Sequence, residues 1–215
     1  MTADNRADDP AGFDRDEDRI DALERLGRSG EQQIARWEFR CWLPARAARP
    51  IPLPSHWHEL PGERRADIYL LTLREAPFLT KLRDGARVDV KTILSREDDL
   101  ELWRPHYDAA FPLAHEQVRA LFDLLAPPDV GRSSDHMTAA LSERRSEISV
   151  RLVRTARRRY SDDSVIFEIV EVALIDRRAT SICIEAENVG KVRELRGRLG
   201  LEHHPNINYG AFIRG

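Results

Sequence analysis

Apolar and polar positions alternate along this chain with two different periods, and the changes of period mark its elements. Ile20, Leu23 and Leu26 recur at helical spacing, which predicts a short helix over 16–26 that Gly27 and Gly30 end. Residues 35–43, ARWEFRCWL, then alternate with period two and read as a strand. Residues 44–61 hold five prolines and read as a loop, and residues 67–74 (DIYLLTLR) as a second strand. Residues 79–94 form two alternating runs joined at Asp84-Gly85, a strong hairpin signal. Residues 100–110 fit neither period. Val118, Leu121, Phe122 and Leu125 mark an amphipathic helix over 115–125 that Pro127-Pro128 stops. The final third reads as a meander of strands at 148–160, 165–175 and 179–187. A helix from Val189 to Gly200 follows, then an extended tail over 206–213. The expected fold class is α+β, an antiparallel sheet with flanking helices. One domain is expected over 33–215, preceded at 1–32 by an acidic, partly disordered tail and a short helix.

Composition narrows the setting. At 41% hydrophobic and 33% charged, the 215 residues have a soluble globular make-up. No apolar run approaches the roughly 18 residues of a membrane-spanning helix. The opening segment is acidic where a secretory signal is basic and then apolar. Cys41 and Cys183 lack disulfide-framework or zinc spacing, so a reducing, cytoplasmic setting is expected.

The distribution of charge says more than its sum of −3. Residues 1–19 carry seven acids against three arginines, whereas residues 144–159 carry seven arginines against Glu147. So many like charges within 16 residues call for an anionic partner or internal acids. Strand parity sorts these charges by face. Lys81 and Arg83 share a face, as do Arg87, Asp89 and Lys91, with Val88 and Val90 opposite. Arg151, Arg157 and Arg159 share one, and so do Cys183, Glu185 and Glu187. Glu168 and Glu171 differ in parity, so one of them faces away. A solvated face has no reason to be nearly all cationic on some strands and acidic on another. A sheet curled with those faces inward makes a basic cavity with carboxylates, suited to a polyanion and to Mg²⁺ or Mn²⁺ bridging its phosphates.

Competing chemistries carry less weight. No P-loop, dinucleotide-binding, nucleophile-elbow or zincin motif occurs. His56, His58, His203 and His204 lack a third ligand at metal spacing. Arg157-Arg-Arg159-Tyr160 is compatible with nucleic acid, but the acidic tail and net negative charge oppose a nucleic-acid backbone.

These residues resemble the CYTH superfamily of triphosphate tunnel metalloenzymes. The stretch 179–188 (ATSICIEAEN), its following helix and Asn208-Tyr209 resemble the family's late E-x-E strand, helix and closing segment. Lys81-Leu-Arg83, Arg87-Val-Asp-Val-Lys91 and the 154–172 hairpin are similar to its inner basic and acidic strands. The resemblance implies an antiparallel tunnel, a tri- or polyphosphate-bearing substrate and a divalent metal. Glu38, Glu168, Glu185 and Glu187 would be catalytic, with Glu38, Glu185 and Glu187 on the metal. Arg40, Lys81, Arg83, Arg87, Lys91, Arg151, Arg157 and Arg159 would bind substrate. The departure is at the front: Arg36-Trp-Glu38-Phe-Arg40 stands where the family has E-x-E-x-K, with Arg36 replacing the first glutamate. That substitution weakens the expected metal site. It leaves open a module that binds a phosphorylated ligand or a protein partner without turnover, and class IV-type adenylyl cyclisation.

Overall fold

The computed structural model describes residues 11–27, 34–45, 53, 56–125 and 148–215. The stretch before Ala11, most of the proline-rich segment, and Arg144 and Arg145 lie outside the described residues. Eight strands form a closed barrel: β1 (Arg36–Pro44), β2 (His58–Thr72), β3 (Phe78–Arg83), β4 (Arg87–Glu97), β5 (Leu100–Ala110), β6 (Ile148–Ser161), β7 (Val165–Ala173) and β8 (Arg178–Ala186). Their order around the barrel is β1-β5-β4-β3-β2-β6-β7-β8, and every neighbouring pair is antiparallel. Among the described residues the helices are α1 (Ala11–Leu26), α2 (His115–Leu125), α3 (Val189–Arg198) and α4 (Tyr209–Arg214). The expected α+β class with an antiparallel barrel and flanking helices is the fold the chain adopts.

The apolar faces point outward and are covered by helices. Leu70, Phe78, Val88 and Val90 pack with Ala22 and Leu26 of α1 and Leu121 and Leu124 of α2. On the other side Phe39, Cys41, Phe167, Ile182 and Ile184 pack with Val192 and Leu195 of α3. The alternation that gives each strand one apolar face therefore turns its polar face into the barrel. A third cluster fills part of the interior, where Tyr69, Leu71, Val153, Val170 and Val172 meet Tyr209 and Ile213 of α4.

The structure corrects several sequence expectations. The helix expected from residue 16 begins at Ala11. The proline-rich loop expected to run to residue 61 ends sooner, because β2 starts at His58. Its Pro61 is accommodated by a register shift between Leu60 and Glu63, where no ladder N–H is needed. The ambiguous 100–110 segment is strand β5, and its Pro105 lies at a register shift against β4. The expected extended tail is instead α4, started by Asn208, whose side chain accepts from the Ala211 amide at 2.9 Å. The hairpin turn falls where expected, with Asp84 and Gly85 both at positive φ.

Pairing between β1 and β5 is confined to residues 36–38 of β1. Beyond it the C-terminal segment takes over that edge. The Arg40 amide donates to Asn206 Oδ1 at 2.7 Å, and the Ile207 amide donates to the Arg40 carbonyl at 2.8 Å. The Asn206 side-chain amide donates to the Glu38 and Asp99 carbonyls, so it bridges the seam.

Because Ile213 is buried against the interior cluster, Ile213→Ala is expected to cost about 2–5 kcal/mol in chemical denaturation. Ile175→Ala, at a side chain 93% exposed, is expected to fall within about 0.5 kcal/mol of the parent protein. Equal, small effects would contradict the docking of α4.

Candidate functional site

The ladder registers decide which polar side chains meet inside. Glu38 lies opposite Glu185, and Arg40 opposite Cys183, which in turn faces Glu168 on β7. On the far wall Lys81 lies between Tyr69 and Asp89, and Leu79 opposite Lys91. These rows line one cavity of about 70 Å³. Its walls carry five cations (Arg40, Lys81, Arg83, Lys91 and Arg157) and three carboxylates (Glu38, Glu168 and Glu185). Tyr69, Leu79, Trp103, Asn208 and Tyr209 complete the lining.

Ion pairs hold the cations in place. Arg40 Nε donates to Glu38 Oε1 at 2.8 Å and Arg40 Nη1 to Ser181 Oγ at 2.9 Å, with the guanidinium 4.5 Å from the Tyr209 ring centre. Burial opposes the Arg40 charge, but Cys183, Glu38, Tyr209 and Glu168 more than offset it and hold its pKa well above the ordinary range. Lys81 Nζ sits 3.3 Å from Asp89 Oδ2, and Arg83 binds the same carboxylate through Nε at 2.9 Å. Burial pushes Lys81 down to about 8, with Asp89 opposing the shift and Arg83 and Lys91 adding to it. Lys91 moves the other way: burial disfavours its charge, yet Glu185, Glu38 and Asp89 raise its pKa. Arg157 lies 3.4 Å from Glu168 and 3.9 Å from Glu63.

Some polar atoms are buried without a hydrogen-bond partner, among them Arg157 Nε, Arg159 Nε and the Tyr209 hydroxyl. Two of these three belong to residues that line the cavity. Glu38, Cys183 and Glu185 place one possible ligand atom each within 4.8 Å of one another. Burial holds the Cys183 thiol neutral, well above its ordinary pKa. Its Sγ lies 3.7 Å from Glu185 Oε1.

Of the sequence-derived candidates, Glu38, Arg40, Lys81, Arg83, Lys91, Arg157, Glu168 and Glu185 meet in this cavity. Arg159 lies opposite Glu168 in the ladder, half-buried and outside the cavity lining. Arg87, Arg151 and Glu187 are elsewhere. Arg87 is at the hairpin end, paired with Asp108 at 2.8 Å. Arg151 is exposed where β6 has run past the end of β7. Glu187 follows the last residue of β8 and is exposed, so parity no longer places it. Arg36 faces Trp103 across the β1–β5 seam and does not line the cavity. Glu168 faces in, and Glu171 is exposed.

Sequence reasoning gave no role to Tyr69 or Trp103 in the lining, or to Cys183 beside Glu38 and Glu185. Parity with Asp67 marked Tyr69's face, and parity with Glu185 marked that of Cys183. Nothing local marked Trp103, whose Nε1 donates to the buried Glu101 that also accepts from Asn208.

The Glu38–Arg40 pair gives a direct test. Arg40→Met leaves Glu38 buried and unpaired, and is expected to cost about 3–5 kcal/mol in chemical denaturation. Adding Glu38→Gln is expected to recover much of that loss. An additive double variant would contradict the coupling.

No protein-family model matches the chain, and no curated protein matches it. Among solved structures it is similar to a candidate adenylate cyclase from Bacillus halodurans, with 12% identity over 83% of this chain and 97% of that chain and a TM-score of 0.49. A candidate adenylyl cyclase from Hippeastrum, described as having a dominant triphosphatase activity, has 13% identity over 83% and 93% of the two chains and a TM-score of 0.44. The Pct1 RNA triphosphatase of S. pombe, in complex with the Spt5 CTD, has 8% identity over 91% and 87%, with a TM-score of 0.32. Matches at such identities and scores say nothing about chemistry, which must be read from the side chains lining the cavity.

Proposed function

We propose that the barrel interior binds a linear tri- or polyphosphate-bearing anion, and that it hydrolyses the anion when a divalent ion accompanies it. The observation that carries this reading is the excess of five cations over three carboxylates lining one cavity of the barrel interior. An anion enters by exchange. The free space of about 70 Å³ equals roughly two waters, so phosphate groups must displace existing partners. Arg157 can release Glu63, whose side chain is 37% exposed, and Arg83 can turn from Asp89. The unpartnered Nε of Arg157 supplies a further donor. Charge-assisted bonds from Arg40, Arg157, Lys81 and Lys91 would orient the phosphates and offset charge developing in phosphoryl transfer.

The donors present fit the divalent metal that the family resemblance implies. Glu38 and Glu185 offer carboxylates with Cys183 between them, and Arg40 engages Glu38 through Oε1. Those residues would hold one divalent ion, which when bound would supply charge neutralisation to the phosphate groups. Two features favour binding without turnover as a second reading: Arg36 takes the place of a glutamate, and Glu187 lies outside the cavity.

The test begins with a phosphate-release assay on tripolyphosphate, ATP and thiamine triphosphate, with and without Mn²⁺. Release that Glu185→Gln abolishes is expected for hydrolysis. Thermal stabilisation by tripolyphosphate without release would select the binding module. No stabilisation by any of the three anions would overturn the proposal.

Lys81 adds a pH signature. Facing Asp89, Arg83, Lys91, Asp67 and the Tyr69 ring, it is cationic below about 8 and neutral above. Tripolyphosphate affinity is therefore expected to fall up to roughly tenfold between about pH 7 and 9, measured by titration calorimetry. Lys81→Arg is expected to remove that step. The stability term has the opposite sign. The unfolded lysine keeps its proton to about 10.4, so this group's contribution to stability rises with pH between about 8 and 10.4.

A further inference from the structure

We infer that Cys183 makes the Glu38–Cys183–Glu185 cluster a site for a thiophilic divalent cation, of the Zn²⁺, Co²⁺ or Cd²⁺ kind, in preference to Mg²⁺. The inference rests on the proposed entry of a divalent ion into the barrel, and it concerns which ion this chain selects. Cys183 is fully buried on the inward row of β8, two residues from Glu185 and opposite Arg40. The three ligand atoms lie within 4.8 Å of one another. Donors on one tetrahedral zinc-sized ion stand ~3.5 Å apart, so small side-chain movements close the set. Mg²⁺ requires near-octahedral oxygen coordination. Here the third donor is sulfur, Glu187 is exposed beyond the strand, and Arg36 is a cation on the same inward row of β1.

A second observation points to a ligand in the same cavity. The Tyr209 hydroxyl is buried without a hydrogen-bond partner, and the residue, 6% exposed, lines the cavity that Glu38 and Glu185 line. Lys91 and Arg40 stand beside the two carboxylates, so a bound cation needs the charge of a Cys183 thiolate as well. As the metal–sulfur bond forms the S–H bond breaks, the sulfur keeps the electron pair and the proton leaves to buffer. No redox change is involved. The chain's only other thiol, Cys41, is buried on the outward face within the α3-covered core, which makes the assignment separable.

The full-length reduced protein is titrated with Cd²⁺ and with Co²⁺, with and without tripolyphosphate, while the sulfur-to-metal charge-transfer absorbance is recorded. The band is expected in the parent and in Cys41→Ser, and is expected to vanish in Cys183→Ser. Zn²⁺ should displace it and excess Mg²⁺ should leave it. A thermal melt checks that each variant is folded, and if Cys183→Ser fails to fold, Cys183→Ala takes its place. Absence of the band in the parent, its survival without Cys183, or its displacement by Mg²⁺ at concentrations comparable to Zn²⁺ would each overturn the inference. Tripolyphosphate stabilisation is read separately by thermal shift. Stabilisation without the band sinks the metal preference and leaves the anion reading standing, whereas the band without stabilisation does the reverse.

Discussion

A barrel that turns its charged faces inward must satisfy most of those charges from across its own walls. An uncompensated buried charge costs several kcal/mol, so such an interior persists only as a set of pairs. Here the pairs run around the barrel: Arg40 with Glu38, Lys81 and Arg83 with Asp89, Arg65 with Glu63 and Asp67, and Arg157 with Glu168. The usual arrangement of a sheet, apolar face in and polar face out, is reversed. The apolar faces are sheltered instead by α1 and α2 on one side and α3 on the other. Burial of those outer faces is the driving term that offsets the desolvation of the inner ones.

The pairing is incomplete in one direction. Cations outnumber carboxylates around the cavity, and guanidinium nitrogens of Arg157 and Arg159 find no acceptor. A cavity whose lining carries more cations than carboxylates would suit a ligand rich in anionic oxygen. Its tightness matters as much as its charge. With so little free volume, the proposed anion would replace internal carboxylates as the partner of the arginines, and its affinity would be the difference between two sets of ion pairs.

The C-terminal segment completes the wall. Where β5 leaves β1, Asn206 and Ile207 bond to the Arg40 backbone, and Asn206 also reaches the Glu38 carbonyl. Asn208 caps α4 and donates to Glu101, while Tyr209 lies under the Arg40 guanidinium and edge-on to Trp42. The backbone carrying the Glu38–Arg40 pair is thus held by residues about 165 positions away. That explains why an extended reading of 206–213 failed. The pattern there is too short to carry a period, and the helix exists because Tyr209 and Ile213 have an apolar layer to fill.

Much of the site was legible from alternation alone. Because successive strand side chains oppose each other, Lys81 with Arg83, Asp89 with Lys91, and Cys183 with Glu185 are assigned to shared faces by counting, and Asp84-Gly85 announces its turn by tolerance of positive φ. Counting fails where the strand stops, as at Glu187 past β8 and Arg151 beyond β7. It fails too at bulges, which let Pro61 and Pro105 into strands their sequence argued against. Composition and periodicity therefore determined that charged rows exist and which residues share them. Only the closed tertiary structure decided that those rows face one another, which cations pair with which acids, and that a cysteine stands between two glutamates. Those are properties of the register between strands distant in sequence, and no local pattern encodes register across such separations.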